Sequence, residues 1–153
     1  TKKKVEGSRD KLIAAMLVAQ LEHAATVQAR RGAIWHRYRT ELAAWAADED
    51  VVLPLEAGAD RVASFHMFQV LLPDLAARTA FIEHLRDRGA MSVFHYIPLH
   101  SSPMGSRVGR TPLGCPVTDD VSDRLARLPL FSDMTDDEQT VVIDAVTSFR
   151  GAS

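Results

Sequence analysis

Between residues 10 and 47 no proline interrupts the chain, and apolar or small residues recur at three- and four-residue intervals. Leu12, Ala15, Met16 and Ala19 set the pattern, and Leu21, Ala24, Ala25 and Gln28 repeat it. Such spacing is that of a helix. Ile34, Trp35, Tyr38, Leu42 and Trp45 carry the stripe onward, so the pattern predicts one helix over 10–47, with Asp10 as its N-cap. Gly32 costs about 1 kcal/mol in a helix interior and therefore marks a bend or a close contact. At 1.5 Å per residue the helix would run roughly 55 Å. A domain of this size has a radius of gyration of about 15 Å, so one end must project or pack against something outside these residues.

Beyond the helix the period changes. Val51, Val52 and Leu53 before Pro54 predict a short strand, and 56–61, acidic and glycine-bearing, a loop. Residues 63–72 predict a strand with Phe65, Met67 and Gln69 on one face and His66, Phe68 and Val70 on the other. A helix over 76–88 carries Ala80, Phe81 and Leu85 and is closed by Gly89. Residues 92–97 predict a third strand, ended by Pro98, and 101–117, rich in glycine, proline and serine, a loop. Thr118 is expected to cap a helix over 119–127, followed by a short extended piece over 128–131. Thr135, three residues ahead of Glu138, matches a capping box at the head of a last helix over 136–149. Helices segregated beside a small, mainly antiparallel sheet give the α+β class.

Composition narrows the function. With 153 residues, 46% hydrophobic and 25% charged, the chain fits one soluble globular domain with a real core. A net charge of −2 argues against a nucleic-acid binder, which needs a basic face. Cys115 is the single cysteine, so no internal disulfide can form and a reducing compartment is the default. No apolar run approaches the ~20 residues that span a bilayer, and the basic start, with Lys2, Lys3 and Lys4, lacks the apolar stretch of a secretory signal. Together these predict a cytoplasmic protein without membrane or nucleic-acid partners.

One segment carries more than composition. Ser92-Val93-Phe94-His95-Tyr96-Ile97-Pro98-Leu99-His100 resembles a strand and loop of the DegT/DnrJ/EryC1/StrS aminotransferases, where Val-x-His-Tyr-x-Pro-Leu-His is common. Three further blocks stand in the same order. Ala14-Ala15-Met16-Leu17-Val18-Ala19-Gln20-Leu21-Glu22 resembles the helix that opens the family's small domain, His66-Met67-Phe68 its next strand, and Arg127-Leu128-Pro129-Leu130-Phe131 its closing segment. The resemblance covers nearly all of 12–150. Within the family it points to the transaminases that form dTDP-4-amino-4,6-dideoxygalactose.

The resemblance implies the fold of the C-terminal small domain of fold-type I aminotransferases over 12–150, with 1–11 an altered leader or added tail. It also implies that a larger domain supplies the cofactor, pyridoxal phosphate (PLP), with its Schiff-base lysine and most phosphate contacts. Lys2, Lys3, Lys4 and Lys11 are the only lysines here, and none sits in the family's lysine motif. No catalytic residue is therefore assigned, and PLP is not expected on this chain alone. The family stretch that reaches a neighbouring subunit's cofactor is shortened to Gly7-Ser8-Arg9-Asp10, leaving Ser8 as a weak cofactor-binding candidate. His95, Tyr96 and His100 are the substrate-binding candidates, since imidazole and phenol suit sugar hydroxyls and phosphate oxygens. The expected role is a substrate-facing loop and dimer interface of a dTDP-4-keto-6-deoxyhexose transaminase. Its competitors are a stand-alone nucleotide-sugar-binding module and an oligomerisation domain joined through the long helix.

Each other candidate has a plainer explanation. His66, His84, His95, His100 and Cys115 lack the paired spacing of a zinc site, so no metal is expected. Cys115, between Gly114 and Pro116, has no evident base and reads as a spectator thiol. Asp119, Asp120, Asp136, Asp137 and Glu138 sit at helix starts, where capping and the helix dipole favour them. Arg30, Arg31, Arg37 and Arg39 read as a solvated face paired with Glu22 and Glu41, and Trp35, Tyr38 and Trp45 as core or interface.

Overall fold

A computed structural model describes the backbone of residues 2–151 and the side chains of 9–151. Three helical segments lead: α1 (Lys2–Glu22), α2 (Ala24–Glu41) and α3 (Ala43–Asp48). The expected single helix is therefore broken, and the bend of 54° falls at His23 rather than Gly32. No glycine or proline causes it. His23 Nδ1 lies 3.1 Å from the Ala19 carbonyl, while its backbone N–H turns to Gln20 instead. A side chain inserted into the i→i−4 ladder bends a helix in this way. Gly32 instead permits a close contact, because a Cβ there would stand 3.3 Å from the Phe65 ring. Asp50, at φ 52°, turns the chain out of α3.

A three-stranded antiparallel sheet follows in the order β1-β3-β2, with β1 (Phe68–Leu71), β2 (Val93–Phe94) and β3 (Leu125–Leu128). Phe68 faces Leu128 and Leu71 faces Leu125, while Val93 and Phe94 oppose Arg127 and Ala126. Here the structure corrects four expectations. The strand expected over 92–97 is only Val93–Phe94. The strand expected over 63–72 starts only at Phe68, because Phe65 takes a left-handed φ of 44° and folds against Trp35. Val52 meets Leu71 in a single bridge rather than a full strand. Residues 125–127, expected to finish a helix, form the central strand.

Four further helices complete the described elements. They are α4 (Leu75–Asp87), the single turn α5 (Gly105–Val108), α6 (Pro116–Arg124) and α7 (Asp136–Thr147). Asp74 caps α4, and Gly89, at φ 77°, ends it as expected. α6 starts two residues before the expected Thr118 cap. Pro116 takes its first turn, where a missing N–H costs nothing. The capping box of α7 forms: Thr135 Oγ1 accepts from the Glu138 N–H, and the Glu138 carboxylate accepts from the Thr135 N–H. Those bonds hold the Glu138 carboxyl below the usual carboxylate range.

The core lies between α2, the inner sheet face, α4 and α7. Tyr38, Leu42, Phe68, Val70, Phe81, Leu85 and Val146 are all fully buried, each contributing roughly 1.5–3 kcal/mol of apolar burial. Tyr38 donates its hydroxyl to the Pro129 carbonyl at 2.9 Å, and burial pushes its phenol pKa well up. Trp35 and Trp45 join this core, as their spacing predicted. The arginine face is less plainly solvated than expected. Arg37 pairs with Glu41 at 2.6 Å, yet it and Arg30 also reach Asp136, Thr140 and the Met134 carbonyl, tying α2 to the head of α7. α1 behaves differently: Leu12, Met16, Leu17 and Leu21 are 51–71% exposed. The side chains of 9–22 are all exposed among the described residues.

Candidate functional site

After β2 the chain leaves the sheet through His95, Tyr96, Ile97 and Pro98, then folds back on itself. Ser102 Oγ donates to the Leu99 carbonyl at 2.8 Å and accepts from the Gly105 N–H at 3.0 Å. Gly105 is obligatory in this turn, because a Cβ would collide with the Leu99 carbonyl. Opposite stands α6, which turns Val117 and Val121 toward the loop. Between them lies an open hollow of about 520 Å³, walled mainly by apolar groups, with the Thr118 and Ser122 side chains among its polar edges.

The three candidates here do not act alike. His95 and Tyr96 line the hollow with ring centroids 4.6 Å apart. His95 is half-buried, and its Nδ1 is shielded from solvent without a partner among the described residues. Tyr96 is 68% exposed and offers its ring and hydroxyl outward. His100 is committed elsewhere: its Nε2 lies 2.7 Å from Asp119 Oδ1 in the first turn of α6. That bond ties the returning loop to the helix. The side chain of Ser8 lies outside the described residues.

Sequence reasoning missed two groups here. Asp119 was read only as a dipole partner of its helix, and nothing local could link it to a histidine 19 positions earlier. Arg127 was hidden inside an expected helix; as a β3 residue its guanidinium stands 5.5 Å over the Tyr96 ring.

Other candidates are dispersed. His66 pairs with Ser64 at 2.6 Å beside a separate hollow near Trp35, and His84 Nε2 lies 3.0 Å from the Ala145 carbonyl. Cys115 is a free thiol preceding α6. Among the described residues no three His, Cys, Asp or Glu side chains gather within reach of one metal ion, and no single helix is long and apolar enough to cross a membrane. PLP needs an amine for covalent attachment. Among the described residues no lysine lines the hollow, and Lys11 is exposed on α1. The residues of this site do not fit that cofactor, and no step through it follows for them.

Comparison with known proteins agrees with this partial arrangement. DesV of S. venezuelae, seen in complex with a ketimine intermediate, superposes with a TM-score of 0.76 at 27% identity, over 88% of this chain and 34% of that one. The aminotransferase TlmJ from Streptoalloteichus hindustanus gives 0.75 at 25% identity, over 86% and 34%. The sugar aminotransferase CalS13 from Micromonospora echinospora gives 0.70 at 25%, over 86% and 33%. The chain thus spans about a third of the length of these structures. The model of the DegT/DnrJ/EryC1/StrS aminotransferase family matches residues 7–147, so with the four blocks in order and the shared fold the chain belongs to that family.

Proposed function

We propose that residues 12–150 act as the C-terminal small domain of a nucleotide-sugar transaminase whose substrate is a dTDP-4-keto-6-deoxyhexose. Its product class is the one read from the sequence, dTDP-4-amino-4,6-dideoxygalactose. The observation that carries this reading is the hollow bounded by His95 and Tyr96, with the loop beyond it tied to α6 by the His100–Asp119 bond. Ring faces and a phenol hydroxyl suit a sugar ring, and a shielded imidazole nitrogen without a partner favours a ligand group that supplies one. The family is PLP-dependent. In this reading the amine and the cofactor contacts come from a polypeptide region beyond 1–153, so the chain binds but does not transform. A reducing, cytoplasmic setting fits the free Cys115.

The exposed α1 surface supports an assembly role alongside binding. At 100° per residue, Leu12, Ile13, Met16, Leu17, Val18 and Leu21 spread over more than half the helix circumference. A helix apolar on most sides is buried in its working state, and we propose a homo-oligomer that buries it.

Calorimetric titration with a thymidine diphosphate sugar tests the binding reading. Micromolar affinity that falls at least tenfold in Tyr96→Ala is expected. Absence of heat with the wild-type chain, or equal affinity in the variant, removes the hollow from substrate recognition.

A further inference from the structure

The outer face of the sheet carries a cation that the fold leaves unused. Side chains alternate along β3: Ala126 and Leu128 enter the core, so Leu125 and Arg127 point the other way. Leu125 lines the hollow beside His95 and Tyr96, and Arg127, two residues on, reaches it only through the Tyr96 ring. Its guanidinium rests on the Tyr96 ring at 5.5 Å, which fixes the plane of the fork. Its Nε is shielded from solvent, and among the described residues it makes neither a hydrogen bond nor a salt bridge. Arg78, stacked in the same way over Phe94 at 5.4 Å, shares the partnerless Nε, but its terminal nitrogen donates to the Ser122 carbonyl at 3.2 Å, whereas the Arg127 fork has no such bond among the described residues. The α6 carboxylates Asp119 and Asp120 are taken by His100 and Arg124. Arg127 is therefore an oriented, uncompensated fork beside an apolar hollow.

We propose that Arg127 is the anion-binding residue of this site and receives the diphosphate of a sugar nucleotide. An arginine fork pairs two donors with two phosphate oxygens, and the stacked ring removes the need to order it on binding. An apolar hollow with an unpaired arginine fork beside it suits a ligand that is part apolar and part anionic, as a nucleoside diphosphate is. This assignment rests on the binding reading for the sugar moiety, but the anion site stands on its own geometry.

Two probes separate these claims. The intact chain is titrated with inorganic pyrophosphate and with a thymidine diphosphate sugar, in the wild type, Arg127→Gln and Arg127→Lys, with thymidine as the uncharged control. The expected result is binding of both anionic probes by the wild type, weakened about tenfold or more in Arg127→Gln. Arg127→Lys, which keeps charge but loses the fork, should fall between. The response to thymidine and the thermal midpoint should stay unchanged, which a merely structural role for Arg127 would not give. Pyrophosphate bound equally by wild type and Arg127→Gln, or by neither, overturns the assignment. Pyrophosphate binding that depends on Arg127, with no added affinity from the nucleoside and sugar, supports the anion site and instead sinks the reading of the hollow as a sugar-nucleotide site.

Discussion

Phe81→Ala should lower the unfolding free energy by about 3–5 kcal/mol, the usual cost of emptying a large aromatic position in a core. Phe81 is fully buried, stacked on Trp45 at 5.7 Å and edge-on to Phe149 at 5.2 Å. Those contacts join α3, α4 and the segment just beyond α7, so the cavity would open where three elements meet and where none can collapse alone. For a chain of this length that loss moves the thermal midpoint by on the order of 10 °C. Val141→Ala is the control: Val141 lies on α7 but is 51% exposed, and a surface change of this kind stays within about 0.5 kcal/mol. Equal losses in the two variants, measured by urea unfolding, would mean that the core is misplaced.

The second large effect concerns assembly. The wild-type chain should self-associate, and replacing Leu12, Leu17 and Leu21 together by glutamine should leave a monomer. These three are 64%, 51% and 71% exposed. Burying three leucines contributes at most roughly 5–9 kcal/mol, and each 1.4 kcal/mol is tenfold in affinity. Association should therefore weaken by several orders of magnitude, while the helical core past His23, which none of the three enters, keeps its melting behaviour. Light scattering at rising protein concentration decides the matter. A wild-type chain that stays monomeric at high concentration contradicts the assembly proposal, as does a triple variant that still associates.

Where local chemistry determined an element, the sequence was enough. The Thr135–Glu138 box, the Gly89 terminus and the Ile34–Trp45 stripe are all written within a few neighbouring positions, and each appears where it was read. Failures occurred where distant pairing decides. Leu125, Ala126, Arg127 and Leu128 alternate for only four residues after a helical run, too short to tell a strand from a helix end. Pairing with both β1 and β2 makes them the central strand. Phe65, at φ 44°, lays its ring against Gly32, 33 positions earlier, a contact no local pattern announces. The break at His23 carries no breaker residue at all.

The same division holds at the site. His95 and Tyr96 were legible through a motif that keeps them adjacent, and the fold brings both to one hollow. His100 belonged to the same motif, yet its partner Asp119 comes from another element, so its positioning role needed three dimensions. Arg127 became visible as a candidate only once its strand was placed.

In the proposed reading the hollow faces substrate but has no lysine, among the described residues, placed to capture a carbonyl. Incubation of the purified chain with pyridoxal phosphate, borohydride reduction and mass mapping of the adducts tests this. Sparse, substoichiometric labelling spread over Lys2, Lys3, Lys4 and Lys11 is expected, with no turnover of a keto-sugar. One lysine labelled to full stoichiometry, with amination of the sugar by this chain unaided, would contradict it.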